Sequence, residues 1–236
     1  MAFCSIKSHL AHPSKSLRIF RKCSNMAMPG KAPMLPFDVI LFDVGQVLLT
    51  NGWDHDERAR VLSRFHMDYD EFEERHLTPY RAWESGQITV QAYMDACVFY
   101  QPRPFSPEEF FSAICAGSRI LSNGAFGILE ELSASNQYLL GALNNEARET
   151  NQYRFDRFGL RPLFSVALSS CYLGLRKPDA EIYQRALDIL GRPAERVLFI
   201  DDREDNAAAA EEAGMKAIVF GGAQSLRTEL VTLGVL

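Results

Sequence analysis

Residues 38–49 read DVILFDVGQVLL. The apolar run Val39-Ile40-Leu41-Phe42 has the length and the branched side chains of a strand buried on both faces. It ends in one carboxylate, Asp43. Two residues on, Gly45 lets the chain turn sharply before a second apolar run. A buried strand that ends in an acid beside a glycine is the pattern from which the rest of the chain is read.

Similar runs recur at 137–143 (QYLLGAL), 164–169, 197–200 (VLFI) and 216–220 (KAIVF). Amphipathic helical patterns lie between them at about 124–135, 179–190 and 205–213. Short continuous strands alternating with helices predict an α/β fold, a Rossmann-like parallel sheet of about five strands flanked by helices. The interval from about 53 to 120 carries helical signals only. Asp54 reads as an N-cap with Glu57 three residues later, and SPEEFFSAI from Ser106 is a capped start with proline at its first position. Pro79, Gly86 and Pro102–Pro104 read as breaks in this interval. The expected organisation is a core of 37–52 and 122–236 with an inserted helical cap at 53–121.

Hydrophobic residues make up 47% of the 236, enough for a sizeable core. No apolar stretch approaches the 18 or so residues of a membrane span, so no membrane partner is expected. The five cysteines show no CxxC spacing and read as free thiols. Charge is unevenly placed. Residues 1–37 hold no acid, six bases (Lys7, Lys15, Arg18, Arg21, Lys22, Lys31) and five serines. This reads as a disordered targeting leader over 1–36, with the plastid as destination and mitochondrion or cytoplasm as alternatives. All 30 acids and only 19 of the 25 bases lie beyond it. Such an acidic body argues against nucleic acid as substrate or partner.

In an open parallel sheet, function gathers beyond the carboxyl ends of the strands. Asp43 ends the first strand, Asn144-Asn145 the second, and Asp201-Asp202 the fourth, with Asn206 four residues further on. Ser169, Ser170 and then Lys177 follow the third. Carboxylates converging on one edge repel unless a positive charge lies between them. Mg2+, a hard ion taking oxygen ligands, is the ordinary solution. With Lys177 it would also relieve the repulsion between a carboxylate nucleophile, Asp43, and a phosphate dianion.

The segments FDVGQVL, ALNNE, GLRKPDAEIY and FIDDREDN, in this order and spacing, resemble the four motifs of the haloacid dehalogenase-like hydrolase superfamily. The likeness runs from about 37 to 221. It is strongest to the capped subgroup of sugar-phosphate phosphatases and the phosphatase domain of soluble epoxide hydrolases, and WESGQIT (83–89) resembles a cap segment of that subgroup. The resemblance implies that Asp43 is a nucleophile forming an aspartyl-phosphate. It implies that Asp43, the Gly45 carbonyl and Asp202 hold Mg2+, with Asp201 supporting the metal directly or through water. Lys177 would bridge nucleophile and phosphate, Asn144 and Asn145 would bind phosphate, and Asn206 would orient the aspartate pair.

Two positions depart from the family pattern. Gly45 stands where a second Asp usually protonates the leaving alcohol, and losing such a group costs about 10²–10⁴-fold. Asn144 stands where Ser or Thr is usual. His55 and Asp54 are the candidate substitutes for the missing acid, and Trp53 and Tyr80 are candidates for the pocket wall. The expected function is a Mg2+-dependent phosphatase acting on a small phosphorylated metabolite, as a monomer or homodimer. A phosphate-binding or regulatory protein with weak catalysis, and a 2-haloacid dehalogenase, are the alternatives.

Overall fold

A computed structural model describes residues 35–236. The leader reading over 1–36 falls outside that range except at Leu35 and Pro36, whose carbonyls accept from Arg196 Nη1 at 2.7 and 2.9 Å and so belong to the ordered core. Strand β1 (Val39–Phe42) lies at the centre of a five-stranded sheet with β2 (Leu139–Ala142), β3 (Val166–Ala167), β4 (Val197–Asp201) and β5 (Lys216–Val219). Their order is β3-β2-β1-β4-β5, and every pairing is parallel. Phe42 pairs with Ala142 on one side and Ile200 on the other, so Asp43 and Asp201 follow at one level of the carboxyl edge.

Successive side chains of β1 feed opposite faces, as the pleat requires. Ile40 and Phe42 enter one core with α5 (Phe126–Ser135) and α10 (Ala223–Thr232). Val39 and Leu41 enter the other, packed by α8 (Ala180–Leu190) and α9 (Glu204–Glu212). Two faces buried at once explain why β1 is apolar at every position. Helices α6 (Arg148–Arg157) and α7 (Ser170–Leu173) complete the crossovers around β3.

Between β1 and α5 the chain forms α1 (His55–Arg64), α2 (Tyr69–Glu84), α3 (Val90–Cys97) and α4 (Pro107–Cys115), whose apolar faces meet in a third cluster around Trp83, Tyr93, Phe72 and Phe110. Each start is capped. Asp54, Asp68 and Thr89 accept from the backbone N–H three residues on, and Ser106 with Glu109 makes a reciprocal box. The chain leaves and returns side by side, with Thr50 N–H donating to Arg119 O at 2.9 Å and Leu121 N–H to Leu48 O at 3.1 Å.

Pro79 does not break the chain as its sequence position suggests: it lies inside α2. Proline has no N–H for the carbonyl four residues earlier, that of Arg75. The Cys97 thiol donates to that carbonyl at 3.5 Å instead.

Gly86 follows α2 at φ +71°, and a Cβ there would lie 2.2 Å from Cys171 O of α7. The backbone of the four-helix segment therefore touches that of the sheet layer. Ser170 Oγ donates to Glu84 O at 2.6 Å beside this contact, and Trp83 Nε1 donates to Glu149 of α6 at 2.8 Å.

Candidate active site

A cavity of about 340 Å³ opens at the carboxyl edge of β1, β2 and β4. Asp43, Gly45, Asn145, Lys177, Asp202 and Asn206 line it from the sheet side, and Trp53, Asp54, Arg58, Tyr80 and Glu84 from the four-helix side.

Asp43 is buried, and Val44 N–H donates to its Oδ1 at 2.8 Å. Lys177 Nζ lies 3.1 Å from the same oxygen and 2.5 Å from Oδ2 of Asp201. Burial is the largest influence on Asp43. It outweighs the Lys177 charge and, with Asp201 adding to it, pushes the carboxyl up to about 7. Burial pulls the Lys177 ammonium down, but the two carboxylates overcome it and hold it above its ordinary value. Burial and then the Asp201 charge raise Asp202.

One carboxylate oxygen from each of Asp43, Asp201 and Asp202 falls within a sphere where all lie within 4.8 Å of one another. A single ammonium, paired with Asp43 and Asp201, stands among these three acids. The all-oxygen donor set and its surplus negative charge fit a hard divalent cation such as Mg2+. Asn206 donates to Asp201 Oδ1 at 2.9 Å, as does the N–H of Arg203, so the orientation of Asp201 is fixed from outside the cluster.

Asn145 holds Lys177 by its main chain. Its Nδ2 donates to Lys177 O and its Oδ1 accepts from Lys177 N–H, both at 2.9 Å. Asn144 does not line the cavity. Its Oδ1 accepts from Ser169 Oγ at 2.7 Å, its Nδ2 donates to Asn151 Oδ1 at 3.1 Å, and Asn151 donates to Ser169 at 3.1 Å. That buried ring satisfies all three side chains. Turning Asn144 toward a phosphate would leave an acceptor of Asn151 unpaired in the core.

The two candidate substitutes for the missing acid separate. Asp54 lines the cavity, but its carboxylate accepts from Glu57 N–H as the cap of α1. His55 is not brought to the cavity at all. Its side chain is 72% exposed, beside Asp56 and 5.1 Å from the Tyr69 ring. As the first residue of α1 it points away from the edge that its neighbour caps.

Several charged groups enter the cavity wall with no motif to announce them. Glu84 accepts from Tyr80 Oη at 2.8 Å and from Arg176 Nε at 2.5 Å. Burial raises its carboxyl despite the Arg176 charge. Glu146 accepts from Arg154 and from Thr150 Oγ1 at 2.6 Å, and Arg154 reaches on to Thr50 O at 2.5 Å. Arg176 stands directly before Lys177 in GLRKPDAEIY, and that adjacency is the one sequence signal for its place in the cavity wall.

A family model for haloacid dehalogenase-like hydrolases matches residues 37–214, the interval from the start of the central strand past the end of α9. The chain belongs to that family. Flavin mononucleotide hydrolase 1 of Arabidopsis thaliana, described as chloroplastic, is 29% identical over 198 residues, spanning 84% of this hydrolase and 78% of that protein. A sesquiterpene phosphatase of Aspergillus oryzae is 38% identical over 53 residues, 22% of this chain and 27% of that one. The fold of this haloacid dehalogenase-like hydrolase is shared with a family enzyme from Bacteroides thetaiotaomicron solved with magnesium and inorganic phosphate. Its TM-score is 0.68 at 19% identity, over 79% of this chain and 95% of the other. Among the described residues no helix is long and apolar enough to cross a membrane.

Proposed function

We propose that this hydrolase is a phosphatase that releases inorganic phosphate from a small phosphomonoester through an aspartyl-phosphate on Asp43. The observation that carries the reading is the buried Asp43 carboxylate at the cavity floor, 3.1 Å from Lys177 Nζ and beside the Asp201–Asp202 pair. Asp43, Asp202 and the Gly45 carbonyl would hold Mg2+, with Asp201 behind them, and the ion would neutralise and orient the phosphate oxygens.

The chain's own groups do the rest. Lys177 opposes the burial that raises Asp43, favouring its ionised form, and offers its ammonium to a phosphate oxygen. Asn145 fixes the main chain that carries that ammonium. Asn206 keeps Asp201 turned toward the cluster. Asp43 attacks phosphorus, the alkoxide or its conjugate leaves, and water then cleaves the acyl phosphate. The four helices α1–α4 act as a cap over residues 53–121. They close the cavity with Trp53, Tyr80 and Glu84, excluding bulk water and shaping the space for the leaving group.

The relatives that act on a flavin mononucleotide and on a sesquiterpene phosphate support a small phosphorylated metabolite as the substrate class. The basic, acid-free leader and the chloroplastic relative together support a plastid location. Phosphate release from flavin mononucleotide, sugar phosphates, phosphoglycolate and nucleotides, with Mg2+ and with EDTA, tests the reading. Metal-dependent release by the wild type and none by Asp43→Asn is expected. Equal rates in both proteins would reject it. Ligand binding without turnover would favour the phosphate-binding reading that Gly45 suggests.

A further inference from the structure

The side chain that residue 45 lacks has a neighbour in its place. A Cβ built on Gly45 would meet Oδ1 of Asn51 at 2.6 Å, so the carboxamide of Asn51 fills the volume a side chain at 45 would enter. Both residues line the cavity with Asp43. The chain around Asn51 is held on each side. Thr50 O accepts from Arg154 Nη2 at 2.5 Å, and Gly52 packs so that a Cβ would lie 3.4 Å from Arg154 Nη1. The Asn51 amide itself stands outside the hydrogen bonds that join Thr50, Glu146, Thr150 and Arg154.

The cavity carboxyls that face the four helices are engaged elsewhere. Asp54 caps α1, Glu84 is paired with Arg176 and Tyr80, and Glu146 with Arg154 and Thr150. Both oxygens of Glu84 and both of Glu146 are taken up by these partners, and an amide exchanges no proton near neutral pH.

We infer that Asn51 is a catalytic residue at the bond that breaks, and that this hydrolase selects phosphate esters by the basicity of the leaving group. The inference rests on the phosphatase reading. In the first step an Asp43 oxygen bonds to phosphorus and the ester P–O bond breaks, its electron pair staying on the leaving oxygen. That oxygen departs as an anion, accepts a hydrogen bond from Asn51 Nδ2–H and takes its proton from solvent. In the second step a water oxygen bonds to phosphorus and donates a hydrogen bond to Asn51 Oδ1. The Asp43–phosphorus bond breaks, its pair returns to the carboxylate, and the proton of the water goes to the released phosphate. An anion that must carry its own charge favours aryl, enol and acyl phosphates over alkyl ones. The penalty on alkyl esters is the worth of the missing acid, about 10²–10⁴-fold.

The test is kcat/KM for phenyl phosphates of graded leaving-group acidity and for benzyl phosphate, in the wild type, Asn51→Ala and Asn51→Asp. The wild type is expected to show a steep dependence on leaving-group acidity. Asn51→Asp puts a protonatable carboxyl into the same volume and is expected to raise benzyl phosphate relative to 4-nitrophenyl phosphate by about 10-fold or more. Asn51→Ala is expected to lower kcat while keeping the thermal shift given by inorganic phosphate, which reports an intact fold and phosphate pocket. Wild-type hydrolysis of aryl and alkyl esters at like rates, with none by Asp43→Asn, overturns this inference alone. Unchanged kcat and ratios in both Asn51 variants overturn it as well. A wild type that releases phosphate from none of the esters overturns the phosphatase reading and this inference with it.

Discussion

Lys177 Nζ lies 3.1 Å from Oδ1 of Asp43. Both groups are buried, and neither is stable there as an ion without the other. The same ammonium bonds Asp201 at 2.5 Å, so one cation holds two acids at the ends of neighbouring strands.

Replacing Lys177 by Met leaves those two carboxylates facing each other without a counter-charge. Breaking a buried pair from one side costs about 3–5 kcal/mol. In metal-free protein the urea midpoint of Lys177→Met falls accordingly, and adding Asp43→Asn recovers part of the loss. A single variant as stable as the wild type would contradict the pairing.

Asn145 supports the same lysine from behind through two hydrogen bonds to its main chain. Asn145→Ala removes both, at about 2 kcal/mol for two neutral bonds. Urea denaturation reads that loss. Because the lysine backbone is then free to shift, the thermal stabilisation given by inorganic phosphate shrinks too. Retention of both would mean that Asn145 is not what positions Lys177.

His76 makes the fold acid-sensitive. It is stacked between Phe72 and Tyr80, and its Nδ1 shares a hydrogen bond with Tyr93 Oη at 2.8 Å. Burial, aided by the Arg58 charge and opposed by Glu73, lowers it from 6.5 to about 4. Below pH 6.5 the unfolded chain binds a proton that the folded histidine refuses. Stability is therefore lost as pH falls from about 6.5 toward 4, by about 3 kcal/mol at the acid end. Denaturation curves at pH 7 and pH 4.5 measure it, and His76→Gln is expected to flatten the dependence in that window. An equally steep loss in the variant would place its origin in another group.

Gly86→Ala tests the contact between the four helices and the sheet layer. Its φ of +71° disfavours a side chain, and the new Cβ would lie 2.2 Å from Cys171 O, a backbone atom that cannot rotate away. The strained φ alone costs about 1–3 kcal/mol. Gly127→Ala, in α5 with nothing within 4 Å of the added Cβ, is the control and gains about 0.5–1 kcal/mol. Calorimetry should move the two melting temperatures in opposite directions. A Gly86→Ala melting temperature at or above the wild type would show that the two layers are not in backbone contact there.

The strands were legible because burial on both faces leaves an uninterrupted apolar run, as in Val39–Phe42 and Val197–Ile200. Helix α6 was not, since RETNQYRFDR shows almost no apolar stripe. It is held by Phe155 in the core and by polar ties such as Arg154 to Thr50, 104 residues away in the chain. The carboxylate cluster could be read because each acid terminates a recognisable strand. The roles of Asn144 and Asn145 could not. Two adjacent asparagines look alike until one is seen closing a ring with Ser169 and Asn151 and the other gripping Lys177. Glu84 and Arg176 meet across 92 residues, a pairing no local pattern encodes. Likewise Gly45 reads as a gap, and only the folded loop shows Asn51 lying in it.

The account stands on Asp43 carrying the phosphoryl group. Acid quenching during turnover of an aryl phosphate, followed by peptide mass spectrometry, measures this directly. A phosphorylated aspartate at position 43, absent from Asp43→Asn and from the EDTA-treated protein, is the predicted result. Sustained turnover with no phosphate on that peptide, or with phosphate on another residue, would contradict it.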